Sequence, residues 1–246
     1  IYNTELKGKY CFWVHNYKAA GDSVGDDSTL NIDICNGTNT FEYTSKAPLL
    51  YGFNNPLYFD ADGKELAFDA VALAAALTAE KENIVIVLGA DIEAPISSLG
   101  QTASGDAKQM GGVDTKTITI DLAGHKLNLT TTYWSVLGAK NSDALVTIKN
   151  GTITSSQTSG TWDSYDLGFV NCNYAFENVV FEKAIALGAA NKNYTLKNVT
   201  INETHDYYAM WVEAVGQNIT IDGLTINSAG RGIKIDEQYL DAPAKV

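Results

Sequence analysis

Arg231 is the single arginine of the chain and lies in SAGRGIKID, followed by Lys234, Asp236 and Glu237. Upstream, YAMWVE supplies Trp211 and Glu213, with His205 and Asp206 on the connection leading into it. A basic side chain in such company can abstract the proton α to a uronate carboxyl, and a carboxylate-held calcium can acidify that proton. The Asp and Glu positions nevertheless lack metal-ligand spacing, and the group reads more simply as a solvated, partly salt-bridged face. Glycoside hydrolysis needs two carboxylates across one cleft. DSYD (163–166) and the pair Glu213 and Asp236 are the options, and neither has a diagnostic context. His15, His125 and His205 are far apart, and phosphate-binding loops and nucleophile elbows are absent. No catalytic residue and no metal site is assigned.

Carbohydrate contact has more physical support. Trp13, Trp134, Trp162 and Trp211, with thirteen Tyr, supply flat amphipathic surfaces for sugar rings. The candidate ligand-binding set is Trp13, Trp211, Glu213, Arg231, Lys234 and Asp236. Burial of the Trp residues against the body of the fold is the competing explanation.

These residues sit on a repeat. VTIKNGTITSS (146–156), FENVVFE (176–182), YTLKNVTINE (194–203) and ITIDGLTINS (219–228) alternate apolar and polar residues around an Asn or Gly. Asn150, Asn178, Asn198 and Gly223 fall in register at intervals of 28, 20 and 25 residues, and ITIDLAG (118–124) extends the series upstream. Such periods mark a solenoid. The Leu-rich frame of leucine-rich repeats is missing, and β-branched alternation with Asn/Gly turns predicts a parallel β-helix. Equivalent positions then stack about one strand spacing apart, ~4.8 Å, and the recurring Asn forms a ladder at one corner.

A second strand follows each corner: WSVLGA (134–139), DLGFVN (166–171), AIALGA (184–189), YAMWVE (208–213) and GIKID (232–236). Alternation directs Met210, Val212, Ile233 and Ile235 inward and Trp211, Glu213, Lys234 and Asp236 outward. Asp121, Lys149, Glu177, Lys197 and Asp222 share one aligned position, with charges that alternate in sign. Opposite charges on adjacent rungs contribute about 0.2–1 kcal/mol each, so this row is structural.

The chain has 246 residues, 45% of them hydrophobic and 19% charged, with a net charge of −12. Nucleic-acid binding needs a basic surface, and so does docking on an anionic membrane; neither partner fits. No apolar run reaches membrane-spanning length. Cys11, Cys35 and Cys172 are too few and too scattered for a disulfide framework or a zinc knuckle. Seven Asn-x-Ser/Thr sites, at Asn36, Asn128, Asn150, Asn193, Asn198, Asn202 and Asn218, follow largely from the corner pattern itself, and ladder positions leave no room for a glycan.

The Ala/Leu-rich stretch near 68–79 predicts a short amphipathic helix, starting at Asp69–Ala70, before an apolar strand at 84–88. A helix there caps the open end of the solenoid. Residues 95–116 read as a protruding Gly-rich loop. Coil-like sequence also precedes the helix: IYNTELKGKYCFWVHN (1–16) parallels LKNVTINETHDYYAMWVEA (196–214), and LNIDICNGT parallels VTIKNGT. The organisation expected is therefore 1–58 as coils that complete or stack on the C-terminal end, and 59–246 as a β-helix with its capping helix. The chain opens at IYN and stops at AKV, both strand-like. An excerpt from a longer protein, a circular permutation and head-to-tail stacking of copies each produce such ends.

TITIDLAGHKLNL (117–129), after the Ala-rich helix and IVIVLGADI, resembles the opening of the right-handed parallel β-helix superfamily typified by pectate lyases. The resemblance covers roughly 66–246, and 1–50 as well. It implies an all-β, right-handed parallel β-helix. The superfamily includes polysaccharide lyases, glycoside hydrolases, phage tailspikes, surface adhesins and non-catalytic scaffolds, and fold alone does not choose among them. The Arg-bearing lyase motif is not recognisable here. The expectation is a non-catalytic extracellular or cell-surface module of the adhesin type, structural or adhesive, self-associating end to end and needing no cofactor. The alternatives are a lyase or hydrolase acting on acidic polysaccharide, with Ca2+ only in the lyase case, and a glycan-binding module.

Overall fold

The structure, a computed structural model, describes residues 5–8, 12–13, 40–43, 50–51, 58–59, 64–95, 109–130, 135–156, 167–204, 208–212 and 216–236. They fall into two compact units that divide between Leu66 and Ala67. In the first, β1 (Glu5–Gly8) and β2 (Phe12–Trp13) are answered by β3 (Thr40–Tyr43) and β4 (Leu50–Tyr51). The pairs β1–β3 and β2–β4 are both parallel, with Leu6 opposite Phe41 and Lys7 opposite Glu42. β5 (Tyr58–Phe59) runs antiparallel to β6 (Glu65–Ala67).

The second unit begins with α1 (Ala70–Leu77). Asp69 caps it, its Oδ1 accepting from Ala72 N at 2.8 Å, which satisfies a donor that the first turn leaves open. The helix is shorter than the 68–79 of the sequence pattern. Thr78 ends it, its Oγ1 donating to the Ala74 carbonyl at 2.8 Å. Leu73, Ala76 and Leu77 join the same apolar core as the first rung of strands.

That rung is β7 (Asn83–Leu88), β8 (Ile92–Pro95) and β9 (Gln109–Met110). The next is β10 (Thr117–Asp121), β11 (Lys126–Thr130) and β12 (Ser135–Ala139). Four later rungs each have a long bent strand and a short one. These are β13 (Leu145–Ser155) with β14 (Leu167–Phe169), β15 (Asn173–Phe181) with β16 (Ile185–Leu187), β17 (Asn193–Glu203) with β18 (Tyr208–Val212), and β19 (Asn218–Ser228) with β20 (Arg231–Ile235). Long strands stack in the parallel order β7, β10, β13, β15, β17, β19, and short ones in the order β9, β12, β14, β16, β18, β20. This is an all-β parallel β-helix with one small helix among the described residues.

Alternation sets the inward rows. Ile86, Ile120, Ile148, Phe176 and Leu196 occupy successive rungs and are no more than 1% exposed. The phase of burial slips at Asn178: Tyr174 and Phe176 are buried before it, Val179 and Phe181 after it. A left-handed residue turns the strand there. Asn150, Asn178 and Asn198 have φ of 59°, 55° and 51°, and Gly223 completes the column at 81°. Asn and Gly tolerate that region best, which explains their recurrence.

Two expectations change. The stretch 95–116 is not wholly a protruding loop. Gln109 and Met110 pair with Gly138 and Ala139, and buried Thr115 donates to the Lys81 carbonyl at 2.6 Å. Residues 96–108 lie outside the described set. Ile233 and Ile235, expected inside, are 43% and 46% exposed. They stand on the last described rung, stacked on one side only.

Candidate functional site

The candidate basic cluster assembles across β18 and β20, where Tyr208 faces Arg231 and Trp211 faces Lys234. Lys234 Nζ lies 4.3 Å from the centre of the Trp211 ring and 3.1 Å from Asp236 Oδ2. Arg231 donates from Nη1 to Tyr208 Oη at 3.3 Å, and its guanidinium stands 5.2 Å from the Tyr208 ring centre. The Asp236 amide donates to the Val212 carbonyl at 3.0 Å. Alternation places Asp236 outward, yet it is buried at 7% exposure, folded in beneath the Lys234 ammonium.

Ring faces decide what this cluster can do. Trp211 and Tyr208 pack on the small apolar cluster of Ala184 and Ala186, one rung back. Lys234, one rung forward, lies over the Trp211 ring. A cation over an indole face is itself attractive, so the contact of Lys234 with Trp211 has a structural explanation that requires no sugar. The Lys234 nitrogen is likewise held by a carboxylate and a ring, both favourable partners for an ammonium.

Trp13 lies on β2, in the first unit. Glu213, His15, His205, Trp134, Trp162, Glu237 and DSYD lie outside the described residues. His125 occupies the turn before β11, as its position in AGHK suggests, with Nδ1 3.3 Å from Asp91 Oδ1. Asp91 also accepts from the Lys126 amide at 2.9 Å, and that bond chiefly holds its carboxyl below the usual range. Cys172 is buried, and burial pushes its thiol up, away from the reactive thiolate. Among the described residues, no three His, Cys, Asp or Glu side chains gather as a metal site.

The most developed polar chemistry of the described residues is structural. Asn150 Nδ2 donates to Asp121 Oδ1, Asn178 Nδ2 to Asn150 Oδ1 and Asn198 Nδ2 to Asn178 Oδ1, each at 3.1 Å. A second column joins Asn173, Asn193 and Asn218 at 3.0 and 3.2 Å. Asn227 donates to Asn202 at 2.9 Å. The sequence pattern singles out only the first column, although Asn193 and Asn218 recur at the same interval as the corner beside them. Inside, Tyr174 and Tyr194 stack with ring centres 5.7 Å apart. Tyr194 Oη accepts from Ala189 N at 2.9 Å and donates to the Phe169 carbonyl at 2.8 Å. Gln217 Nε2 donates to the Leu187 and Ala189 carbonyls.

The charge row is in register as expected: Asp121, Lys149, Glu177, Lys197 and Asp222 are successive partners. Only its first step closes as an ion pair among the described residues, Lys149 Nζ lying 3.4 Å from Asp121 Oδ2. No protein-family model, curated protein or solved structure matches the chain.

Proposed function

We propose that the chain is a non-catalytic, extracellular or cell-surface β-solenoid, a structural or adhesive module that associates head to tail. The likeness of its opening strands to the pectate-lyase-like superfamily supports a surface member of that group. The observation that carries the proposal is the apolar row at the last described rung. Met210 and Val212 are 0% and 1% exposed, whereas their partners Ile233 and Ile235 are 43% and 46% exposed. A sheet edge with apolar side chains beneath it is a template for another strand, and a further coil adds backbone hydrogen bonds as well as apolar stacking. Joining unlike edges of successive copies produces rings or open polymers rather than isologous dimers.

Light scattering across a concentration series, with negative-stain microscopy, tests this. The native chain forms particles that lengthen with concentration, and the double variant Ile233→Asp, Ile235→Asp stays monomeric. Monomers of the native chain at every concentration, or unchanged assembly of the double variant, overturn the proposal.

A further inference from the structure

We infer that the strand recruited by the open edge of β19 is β1 of a second copy, in one defined register: Leu6 on Ile221, Lys7 on Asp222 and Gly8 on Gly223. The inference rests on the head-to-tail reading above and specifies its interface.

Sheet polarity comes first. In both units the later strand of the chain is the next parallel rung: β17 is followed by β19, and β1 by β3. Among the described residues β19 ends its sheet, and β1 pairs with β3 alone. Parallel addition joins the one to the other.

Side-chain rows then select the register. The inward row Ile120, Ile148, Phe176, Leu196, Ile221 is continued by Leu6 and Phe41. The neighbouring row reads Asp121, Lys149, Glu177, Lys197, Asp222, and Lys7 with Glu42 extend it without breaking the alternation of sign. Gly8 falls on Gly223, the left-handed corner position with φ 81°. Asp222 is the single ionisable residue of β19. Registers that place Leu6 on Ile219, Leu224 or Ile226 set Lys7 against Thr220, Thr225 or Asn227 instead. A one-residue slip would take Leu6 out of the apolar row of β19.

The short strands agree. Phe12 on Ile233 continues the row Ile185, Met210, Ile233 to Leu50. Trp13 then follows Ala186, Trp211 and Lys234 in the adjacent row, with Tyr51 after it. Lys234 then comes to lie between two tryptophan rungs.

A charge-reversal pair tests the register in the full chain. Asp222→Lys alone sets an introduced lysine of one copy against Lys7 of the next. Lys7→Glu alone sets an introduced glutamate against Asp222. Each variant is expected to self-associate more weakly than the native chain. In an equimolar mixture the introduced lysine of one variant meets the introduced glutamate of the other, and Asp222 meets Lys7 at the next junction. Assembly therefore returns as an alternating copolymer. Assembly by the single variants as strong as the native chain's, or no recovery on mixing, overturns the register while leaving the head-to-tail reading in place. A native chain that never associates overturns both.

A second measurement uses isotopically heavy Lys7→Cys chains mixed with light Asp222→Cys chains and a short thiol cross-linker. A heavy–light peptide joining positions 7 and 222 is expected, and Asn227→Cys in place of Asp222→Cys removes it. Linkage confined to a single chain carrying both cysteines, independent of concentration, shows closure within one copy and overturns the inference.

Discussion

Asn178 Nδ2 donates to Asn150 Oδ1 at 3.1 Å although 28 residues separate them. Asn178 in turn accepts from Asn198 Nδ2 at 3.1 Å, so its amide bonds both neighbouring rungs. Its backbone meanwhile holds the left-handed turn that bends the strand. One residue type therefore does two jobs, and substitution can separate them.

Asn178→Gly keeps φ near 55° without strain but removes the side-chain bonds to Asn150 and Asn198. A loss of about 0.5–1.5 kcal/mol for each of the two bonds is expected, the net value of a typical hydrogen bond. Asn178→Ala adds the cost of a Cβ in the left-handed region, about 1–2 kcal/mol more. Denaturant unfolding of the two variants gives both quantities; equal losses would show that the turn carries no strain.

The solenoid was legible because its alternation and corner residue recur. The phase slip at Asn178 that splits each alternating run is visible in the sequence as the Asn itself. The end of the stack was less legible. Alternation assigns Ile233 and Asp236 to faces but does not reveal whether a further rung covers them, so Ile233 is exposed and Asp236 is buried. Trp211 illustrates the same limit. Its outward position is readable, but capping of its ring by Lys234 depends on cross-rung pairing between residues 23 apart in sequence. No local pattern encodes that pairing.

Tyr174 and Tyr194 give the core a pH limit. Burial raises both phenols above their ordinary range. A phenol whose pKa is raised by folding holds its proton more tightly in the native state. Its stabilising effect is full below the unfolded value of about 10 and falls as the pH rises beyond it. Stability measured by denaturant is expected to be flat with respect to these groups up to that point and to decline above it. Tyr194→Phe shallows the alkaline decline. At neutral pH it costs about 1–3 kcal/mol, because the Ala189 amide loses its acceptor in a buried site. An alkaline slope identical in the variant would sink the assignment.

Asp69 tests the capping helix. Its bond to the Ala72 amide is removed in Asp69→Ala, with an expected loss of about 1 kcal/mol. Amide exchange reads where that loss falls. Faster exchange should be confined to α1 and the first rung, because α1 packs directly on β7 and β8. Equal acceleration in β17 would mean that the stack unfolds as one unit, without a separable cap.

Lys234 distinguishes a structural cluster from a binding one. Lys234→Met removes the cation from the Trp211 face and from the buried Asp236 carboxylate. If the cluster serves the fold, the variant loses about 1–3 kcal/mol through loss of the ammonium beside the buried carboxylate. Trp211 fluorescence shifts as its ring environment changes, while acidic polysaccharides produce neither turnover nor a binding signal in either protein. If the cluster is a sugar platform held shut by lysine, the same substitution opens the indole face and glycan binding appears in the variant alone. Glycan binding by the native chain that Lys234→Met abolishes would assign the basic side chain to the ligand and reverse the structural reading.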